Sequence, residues 1–308
     1  MKKLSLSVSV LFLTAALFSC GKGGNSEYPG FEKIEEGLYI NFLSKNESAK
    51  AVEVGDIITM DMTYSTEDDS VLFETASNGQ PVQMRADTAK YTGDISGAFL
   101  MMHEGDSAKL IVSADSFFMN TAGMQELPPF IDSASMLNFT VHISKIQTLE
   151  ELQAEQSSKN AEMQAAEMQQ LSEYLSSEGI TASPTASGLI FISKKKGSGK
   201  QAEAGQTVKV NYEGMLLDGT YFDTSVEEVA KANGLYNEQR SYEPFEFTLG
   251  QGQVIKGWDE GIAMMKVGGK ARLIIPSNIA YGANPRPGGP IKPFSTLIFD
   301  VELVDIVE

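Results

Sequence analysis

Hydrophobic and polar residues alternate along several segments in both halves of the chain, which is typical of β-strands with one buried face. Near the C-terminus, Phe299, Val301 and Leu303 alternate with Asp300 and Glu302. The same alternation recurs in three further segments, at residues 58–62, 137–143 and 208–212. The pattern therefore predicts antiparallel sheets that each bury one face.

One short segment of the second half follows a helical period instead. Ile255, Trp258, Ile262 and Met265 recur at steps of three and four residues. This spacing places their side chains on one face of a short helix, and we expect that face to pack against a sheet. A sheet covered by one helix is an α+β arrangement.

The two halves of the sequence repeat one another. Residues 244–281 match residues 81–118 at a constant offset of 163, and Met264-Met265 pairs with Met101-Met102. Upstream, Phe222-Asp223-Thr224 pairs with Phe73-Glu74-Thr75. The matched positions keep the same order, which a duplicated domain explains better than chance. We predict one domain at residues 31–147 and another at residues 182–308.

A long helix is predicted between the two copies, at residues 148–178 within a linking segment 148–180. Thr148 and Glu151 have the spacing of a capping box, and Gly179 supplies the stop. At 1.5 Å per residue the helix would be roughly 45 Å long. Its apolar ends and polar middle favour a spacer over a buried core helix. The alternative is a homodimer that pairs through apolar side chains of this helix, namely Met163, Met168 and Leu171.

The first twenty residues have the pattern of a secretory signal. A basic start is followed by an apolar run at residues 4–18, which is shorter than the ~20 residues of a membrane-spanning helix. Leu17-Phe18-Ser19-Cys20 resembles the lipobox of bacterial lipoproteins, in which the cysteine is lipidated. We therefore predict a signal peptide at residues 1–19, a lipidated Cys20 and a flexible tether at residues 20–30. This places the protein in the cell envelope, anchored to the outer membrane.

Composition excludes several classes of function. A length of 308 residues suits two ordinary domains, and a net charge of −17 argues against a nucleic-acid partner. The single cysteine, Cys20, cannot form an internal disulfide or a four-thiolate zinc site. His103 lies in a predicted turn and His142 on the outward face of a predicted strand, so both are interpreted as solvated. No metal or cofactor is predicted.

Aromatic side chains gather near the predicted strand ends and turns of the second copy, with one carboxylate, Asp223, among them. From composition alone, an ordinary aromatic core explains them as well as a binding pocket does. Four segments carry a more specific signal: VKVNYEGMLLDGTYFDTS, PFEFTLGQGQVIKGWDEGIAMMKVGGKARLIIP, AYG and GGPIKPFSTLIFDVELVDI. These segments resemble the signatures of FKBP-type peptidyl-prolyl isomerases. Together with the signal sequence and helix, they are similar to the macrophage-infectivity-potentiator branch of that family.

The resemblance implies a fold and a site. Each copy would be an FKBP-like antiparallel sheet wrapped on a short helix, with the long α-helix joining the two. Asp223, Phe222 and Tyr281 would be catalytic. The substrate-binding positions would be Tyr212, Phe245, Val254, Ile255, Trp258, Ile291 and Phe299. In this reading Trp258 forms the pocket floor, the Ile255 N–H binds a substrate carbonyl, and Ile291 belongs to a flap.

The sequence departs from the family pattern in two places. Residues 224–244 are longer than the corresponding stretch of the first copy, and residues 226–233 within them could form a helical turn. In the first copy the gripping aromatic residues are replaced, with Ile95 in place of Trp258 and Met62 in place of Tyr212. Val82 and Phe118 likewise replace Phe245 and Tyr281, whereas Phe73, Glu74 and Phe139 remain. The first copy is therefore interpreted as an inactive relative.

These observations lead to three functional hypotheses. The first is a prolyl isomerase that assists the folding of exported proteins, with X-Pro polypeptides and macrolides as its ligands. The second is a holdase chaperone or binding lipoprotein in which isomerase activity is incidental. The third is a surface lipoprotein that uses the fold only as a scaffold.

Overall fold

The computed structural model describes residues 27–307, and the structural statements below concern these residues. The predicted signal peptide, Cys20 and most of the predicted tether lie outside them. Within residues 27–307 no helix combines the length and the apolar character that crossing a bilayer requires. The chain forms two compact units, and the division falls between Gln153 and Ala154.

The first unit contains a seven-stranded antiparallel sheet. Its strands are β1 (Glu32–Glu35), β2 (Leu38–Ser44), β3 (Ile57–Ser65), β4 (Val71–Glu74), β5 (Val82–Arg85), β6 (Ser107–Ser113) and β7 (Met136–Gln147). Its helices are α1 (Thr75–Asn78), α2 (Ser96–Phe99) and α3 (Ala114–Ser116), the last continuing into a π-helical turn at Phe117–Thr121. The strand order is β1-β2-β6-β7-β3-β4, with β5 paired to β3.

The second unit contains a six-stranded antiparallel sheet and most of the long helix. Its helices are α4 (Leu149–Ser177), which begins in the first unit, α5 (Glu227–Ala232) and α6 (Lys256–Ala263). Its strands are β8 (Ile190–Lys195), β9 (Thr207–Leu216), β10 (Tyr221–Thr224), β11 (Phe245–Thr248), β12 (Lys270–Ile275) and β13 (Leu297–Val307). The strand order is β10-β9-β13-β12-β8, with β11 paired to β9.

The alternation that predicted the strands describes their burial. Phe139, Val141 and Ile143 of β7 are buried, whereas Thr140 and His142 between them are exposed. The His142 ring lies 2.9 Å from the Ser107 hydroxyl at the surface. The interpretation of His142 as a solvated side chain is therefore confirmed.

The internal repeat is confirmed by topology. Strands β2-β6-β7-β3-β4 of the first sheet, with β5 on β3, have the same order as β8-β12-β13-β9-β10, with β11 on β9. Strand β1 is an addition that pairs with β2, so the edge occupied by β8 in the second sheet is covered in the first. Two antiparallel sheets with a long helix between them constitute the predicted fold class.

One part of the sequence alignment between the copies is wrong by one residue. The Met62 N–H donates to the Thr75 hydroxyl at 3.1 Å, and the Tyr212 N–H donates to the Ser225 hydroxyl at 2.9 Å. Thr75 therefore corresponds to Ser225, and Phe73 rather than Glu74 takes the place of Asp223. A bulge in each of the two hairpins allowed the sequence alignment to slip.

Helix α4 begins and ends as predicted. The Thr148 N–H donates to Glu151 at 2.7 Å and the Glu151 N–H donates to the Thr148 hydroxyl at 3.1 Å, which is a reciprocal capping box. Gly179 ends the helix with a φ of 63°, a left-handed conformation that glycine adopts without a steric penalty. The capping signals in the sequence thus fixed both ends.

The interpretation of this helix as a spacer is wrong for its C-terminal half. Leu171 is buried in a cluster of apolar side chains on the outer face of the second sheet, with Ile190, Met215, Ile274 and Ile298. The second unit begins at Ala154, upstream of the predicted boundary at residue 182, because the helix covers this face. Leu171 is not available for pairing with a second copy. Dimerisation through the exposed Met163 and Met168 stays a prediction.

Candidate active site

Helix α6 lies very close to the sheet because two of its residues are glycines. A Cβ atom at Gly257 would lie 2.4 Å from Ile275, and one at Gly261 would lie 2.7 Å from Leu273. Both distances are shorter than real Cβ atoms tolerate, so larger residues would push the helix outward. Trp258, next to the first glycine, is carried into the space between the helix and the sheet.

Trp258 is the centre of an aromatic cluster and is 4% exposed. Its ring centroid lies 5.2 Å from those of Tyr212 and Phe299, with the ring planes nearly perpendicular. Phe247 and Phe245 follow at 5.8 and 6.3 Å. Edge-to-face packing of this kind adds stability beyond the burial of apolar area. The indole N–H is buried and has no hydrogen-bond partner among the described side chains.

A third glycine opens the neighbouring side of this cluster. Gly214 of β9 lies beneath the rings of Phe222 and Phe299, and a Cβ atom there would lie 2.8 Å from both. With only a hydrogen at that position, the two rings approach to 5.5 Å between centroids. The absence of a side chain on β9 therefore gives the pocket one of its aromatic walls.

All ten site residues predicted from the sequence line one pocket of about 480 Å³. The pocket is also lined by residues that the sequence reasoning missed: Gln253, Pro285, Arg286, Gly289 and Pro290. Four of these belong to the loop between β12 and β13, whose course the strand pattern does not specify. The sequence did single out that loop through Tyr281 and Ile291.

A polar network at the pocket rim includes Arg240, a further residue that sequence reasoning missed. The Tyr212 hydroxyl donates to Asp223 at 2.6 Å. Arg240 donates to the other oxygen of Asp223 at 2.5 Å and to the Tyr212 hydroxyl at 3.0 Å. Arg240 is the only arginine of the long connection between β10 and β11. The signal available in the sequence was this single arginine in a segment that borders a pocket with one carboxylate.

The network and the burial around it keep the site's phenols protonated. Burial and, secondarily, the charge of Asp223 raise the pKa of Tyr212 far above its ordinary value. Burial and the Asp223 charge also raise the pKa of Tyr281. The Tyr281 hydroxyl and the Ile255 N–H donate to no other group within residues 27–307. An apolar pocket with two free donors at its edge is suited to holding a peptide carbonyl.

Comparison with known proteins decides the family. A family model described as FKBP-type peptidyl-prolyl cis-trans isomerase matches residues 48–144 and again residues 198–304. The chain belongs to this family. An FK506-binding protein of Neisseria meningitidis serogroup B is 46% identical to the isomerase over 121 residues, which are 39% of this chain and 98% of that one. A probable FKBP-type isomerase, FkpA, of the same organism is 44% identical over 136 residues, 44% of this chain and 43% of that one.

A solved structure of a peptidyl-prolyl isomerase from Pseudomonas syringae pv. tomato also matches the isomerase. It is 29% identical, with a TM-score of 0.39, and the match covers 48% of this chain and 96% of that one. The family model confirms the expectation of an FKBP-type isomerase, and it matches a segment of each copy.

The first unit of the isomerase has the family fold but a filled pocket position. Tyr64 stands where β9 has Gly214, since each pairs with the phenylalanine of the following strand, Phe139 or Phe299. The Tyr64 ring stacks on Phe139 at 4.9 Å and on Phe73 at 5.6 Å. In the second unit the corresponding position has no side chain, and the Phe222 and Phe299 rings pack over Gly214 instead. The sequence predicted a dismantled pocket from Ile95, Met62, Val82 and Phe118, and the structure adds the Tyr64 ring to these differences.

Proposed function

We propose that the second unit isomerises X-Pro bonds of exported proteins during their folding, with the aromatic pocket as its catalytic site. One observation carries this proposal. The ten residues that the family resemblance singled out come from β9, β10, β11, α6, β13 and the loops around them, and they converge on a single pocket. We assign Phe222, Asp223 and Tyr281 to the reacting bond.

The chemistry requires no nucleophile or metal. Rotation about the imide bond crosses a barrier of about 18–20 kcal/mol and takes ~10–100 s unaided. Twisting removes the resonance that makes the planar imide polar, so an apolar site disfavours the planar ground state more than the twisted transition state. A thousandfold acceleration requires only ~4 kcal/mol of this difference. The Trp258 floor with Tyr212 and Phe299 offers such a surface.

Hydrogen bonds at the rim select the twisted form. The Tyr281 hydroxyl and the Ile255 N–H each donate to a substrate carbonyl, which fixes the chain on either side of the rotating bond. Asp223, in the same pocket lining, flanks the rotating bond together with Phe222. Arg240 and Tyr212 both donate hydrogen bonds to the Asp223 carboxylate, and Arg240 also donates to the Tyr212 hydroxyl. The position of the carboxylate is therefore fixed before the substrate arrives.

We extend the proposal to macrolide ligands. Relatives that are 45–46% identical over nearly their whole length are named FK506-binding proteins. An apolar pocket of about 480 Å³ is within the range of sites that take drug-sized molecules. A macrolide should therefore compete with peptide substrates for this pocket.

A protease-free assay on a short X-Pro peptide tests the function. The full mature chain should accelerate cis–trans interconversion, and FK506 should inhibit it in proportion to pocket occupancy. A refolding protein limited by proline isomerisation should fold faster in its presence. If the folded protein leaves the peptide rate unchanged, the pocket is not catalytic and the proposal is wrong.

We also propose that the isomerase is a lipoprotein of the cell envelope, anchored to the outer membrane through Cys20. The support is the lipobox-like Leu17-Phe18-Ser19-Cys20 after a basic and apolar start. Cys20→Ser should prevent lipidation and move the protein from the detergent phase to the aqueous phase. Identical partitioning of both proteins would exclude the lipid anchor, and membrane fractionation of the wild type tests the choice of membrane.

A holding function for the first unit is the second candidate. Its loop between the π-helical turn and β7 leaves large apolar side chains in solvent, with Phe130 67% exposed and Met124 42% exposed. Such side chains can hold an extended client while the other unit acts on it. Phe130→Ser with Met124→Ser should reduce suppression of client aggregation and leave the peptide isomerase rate unchanged. Undiminished suppression would exclude this surface.

A further inference from the structure

Helix α4 carries a buried carboxylate that no charged group balances. Glu167 is 4% exposed, and no cation of the second unit's described residues pairs with it. Its two oxygens instead accept three hydrogen bonds, from the Ser277 N–H at 2.7 Å, the Ser277 hydroxyl at 2.5 Å and the Thr296 hydroxyl at 2.7 Å. Burying a carboxylate costs free energy unless hydrogen bonds compensate it. The three hydrogen bonds supply that compensation at Glu167.

The partners of Glu167 stand at the two ends of one loop. Strand β12 ends at Ile275 and β13 begins at Leu297, and we call residues 276–296 between them the flap segment. Ser277 lies at its start and Thr296 at its end. The pocket residues Tyr281, Arg286, Pro290 and Ile291 lie between these ends. A single carboxylate therefore closes the base of the segment that covers the pocket.

A short chain of hydrogen bonds connects Glu167 to Tyr281. The Ser277 carbonyl accepts from the N–H groups of Ala280 and Gly282, each at 2.9 Å, and these residues flank Tyr281. The Gly282 carbonyl in turn accepts from the Phe294 N–H at 2.9 Å, near the other end of the flap segment. The turn that presents the Tyr281 ring is thus built on Ser277, and Glu167 holds Ser277 in place.

The helix gives Glu167 a fixed position. Leu171, one turn further along α4, is buried on the outer face of the sheet, and Tyr174 and Leu175 pack around it. Residues four apart lie on the same helix face, so Glu167 faces the sheet as well. The side chain is held on a rigid element while its partners lie on a loop.

We infer that Glu167 is a positioning residue of the active site, which sets the flap segment and the Tyr281 hydroxyl in their working geometry. The inference rests on the proposed function of the pocket. Glu167 does not touch the pocket itself and acts through Ser277 and Thr296. Both carboxyl oxygens of Glu167 take part, with hydrogen bonds from Ser277 and Thr296. The long helix is accordingly part of the enzyme's working structure.

Full-length variants test this assignment. Glu167→Leu removes all three acceptor contacts, and we expect roughly tenfold lower kcat/KM on an X-Pro peptide, the loss that ~1.4 kcal/mol represents. Glu167→Gln should restore kcat/KM to within about threefold of wild type, because the amide oxygen still accepts and the two hydroxyls can reorient toward its N–H₂ group. Glu173→Gln, an exposed change on the same helix, should have no effect.

Two measurements separate positioning from plain stabilisation. Leu171→Ala disrupts the same helix–sheet contact without touching Glu167, and it should lower the melting temperature but spare kcat/KM of the folded protein. Tyr281→Phe should cost less activity in the Glu167→Leu background than in wild type, since the hydroxyl is already misplaced. Additive effects, or equal losses of kcat/KM for Glu167→Leu and Leu171→Ala, would overturn the inference.

Hydrogen exchange tests the same inference without reference to activity. Glu167→Leu should speed exchange of the Ala280 and Gly282 amides, and Leu171→Ala should leave them protected relative to the rest of the sheet. If the wild-type protein proved inactive, the proposed function would fail while this measurement still reported on the flap segment. Unchanged protection in Glu167→Leu would show that the flap segment is held without the carboxylate.

Discussion

Trp258 and Gly214 are the residues that distinguish the pocket of the second unit from the filled position of the first. Trp258 contributes a broad ring that Tyr212 and Phe299 meet edge-on at 5.2 Å. Gly214 lets the Phe222 and Phe299 rings lie directly against β9, because a Cβ atom at this position would come within 2.8 Å of both rings. Trp258 thus forms part of the pocket lining, and Gly214 allows two further rings of that lining to approach each other.

Truncation of Trp258 should lower the activity of the folded protein as well as its stability. We expect Trp258→Ala to lower kcat/KM by about 100-fold and to cost ~3–5 kcal/mol of stability, since a buried ring is lost. Trp258→Phe should keep most of the stability and more of the activity. Peptide isomerisation and thermal melting of both variants are the measurements. A folded Trp258→Ala variant with wild-type turnover would contradict the assignment of the pocket floor.

The two site phenols should make the protein sensitive to alkali. Burial and Asp223 raise the pKa values of Tyr212 and Tyr281, so both stay neutral in the folded state when unfolded tyrosines ionise near pH 10. Their contribution to stability is fully present below about pH 10 and is lost as the pH rises toward the raised values. Melting temperatures measured between about pH 8 and 11 should fall above pH 10.

Phenylalanine variants provide the control for this pH dependence. Tyr212→Phe should reduce the alkaline slope of stability more than Tyr281→Phe does, because Tyr212 is the more deeply buried. The slope should shrink without vanishing, because burial also raises the pKa of Tyr64 and of Tyr91. An unchanged slope in Tyr212→Phe would show that its phenol does not contribute.

At the scale of elements, the connection between β10 and β11 contributes one side chain, that of Arg240, to the pocket rim. Helix α5 anchors it by burying Ala230, and the Tyr236 and Tyr242 rings stack at 5.7 Å further along. Between these two tyrosines in the sequence, Arg240 reaches back to Asp223 and Tyr212. The connection thus acts as a scaffold that returns one guanidinium to the pocket rim.

Deleting this connection should therefore lower kcat/KM about as much as replacing Arg240 alone. Replacement of residues 226–243 by a short Gly/Ser linker should lower kcat/KM by roughly fivefold, since contacts with a half-exposed charge are worth up to about 1 kcal/mol. Arg240→Met should reproduce most of that loss, and Lys231→Met, on the same connection, should not. A linker variant much less active than Arg240→Met would show that other residues of the connection also touch the substrate.

At the scale of the whole molecule, one fold is present twice with different consequences. The first unit keeps the strand order and an independent core, but the Tyr64 ring packs against Phe73, Phe117 and Phe139 where the pocket would lie. The register also places Phe73 where the second unit has Asp223. Both units have the same strand order, which requires only alternation of apolar and polar residues, whereas they differ at residues that line the pocket of the second unit.

The isolated first unit, residues 27–153, should bind no prolyl substrate. We expect no acceleration of X-Pro isomerisation by this fragment, with circular dichroism to verify that it folds. Tyr64→Gly should cost about 3–5 kcal/mol by emptying the aromatic cluster and should not create activity, because Phe73 replaces the carboxylate. Measurable activity of the wild-type fragment would show that the interpretation of the first copy as an inactive relative is wrong.

The sequence by itself determined the strands, the capped ends of α4, the duplication and the ten pocket residues. Each of these is encoded locally: alternation in β7, the capping box at Thr148 and Glu151, and side-chain types such as Trp258 that the family resemblance makes specific. Such patterns can be recognised in the sequence because they depend only on neighbours within a few residues.

Only the tertiary structure decided the roles of Arg240, Tyr64, Glu167 and Leu171. Arg240 meets Asp223 across a loop of irregular course, and Glu167 meets its partners 110 and 129 positions away in the sequence. A hairpin bulge set the register that opposes Phe73 to Tyr64. A glutamate on a polar helix looks the same in the sequence whether its side chain is exposed to water or hydrogen-bonded to a loop. Its burial depends on distant segments that pack against the helix.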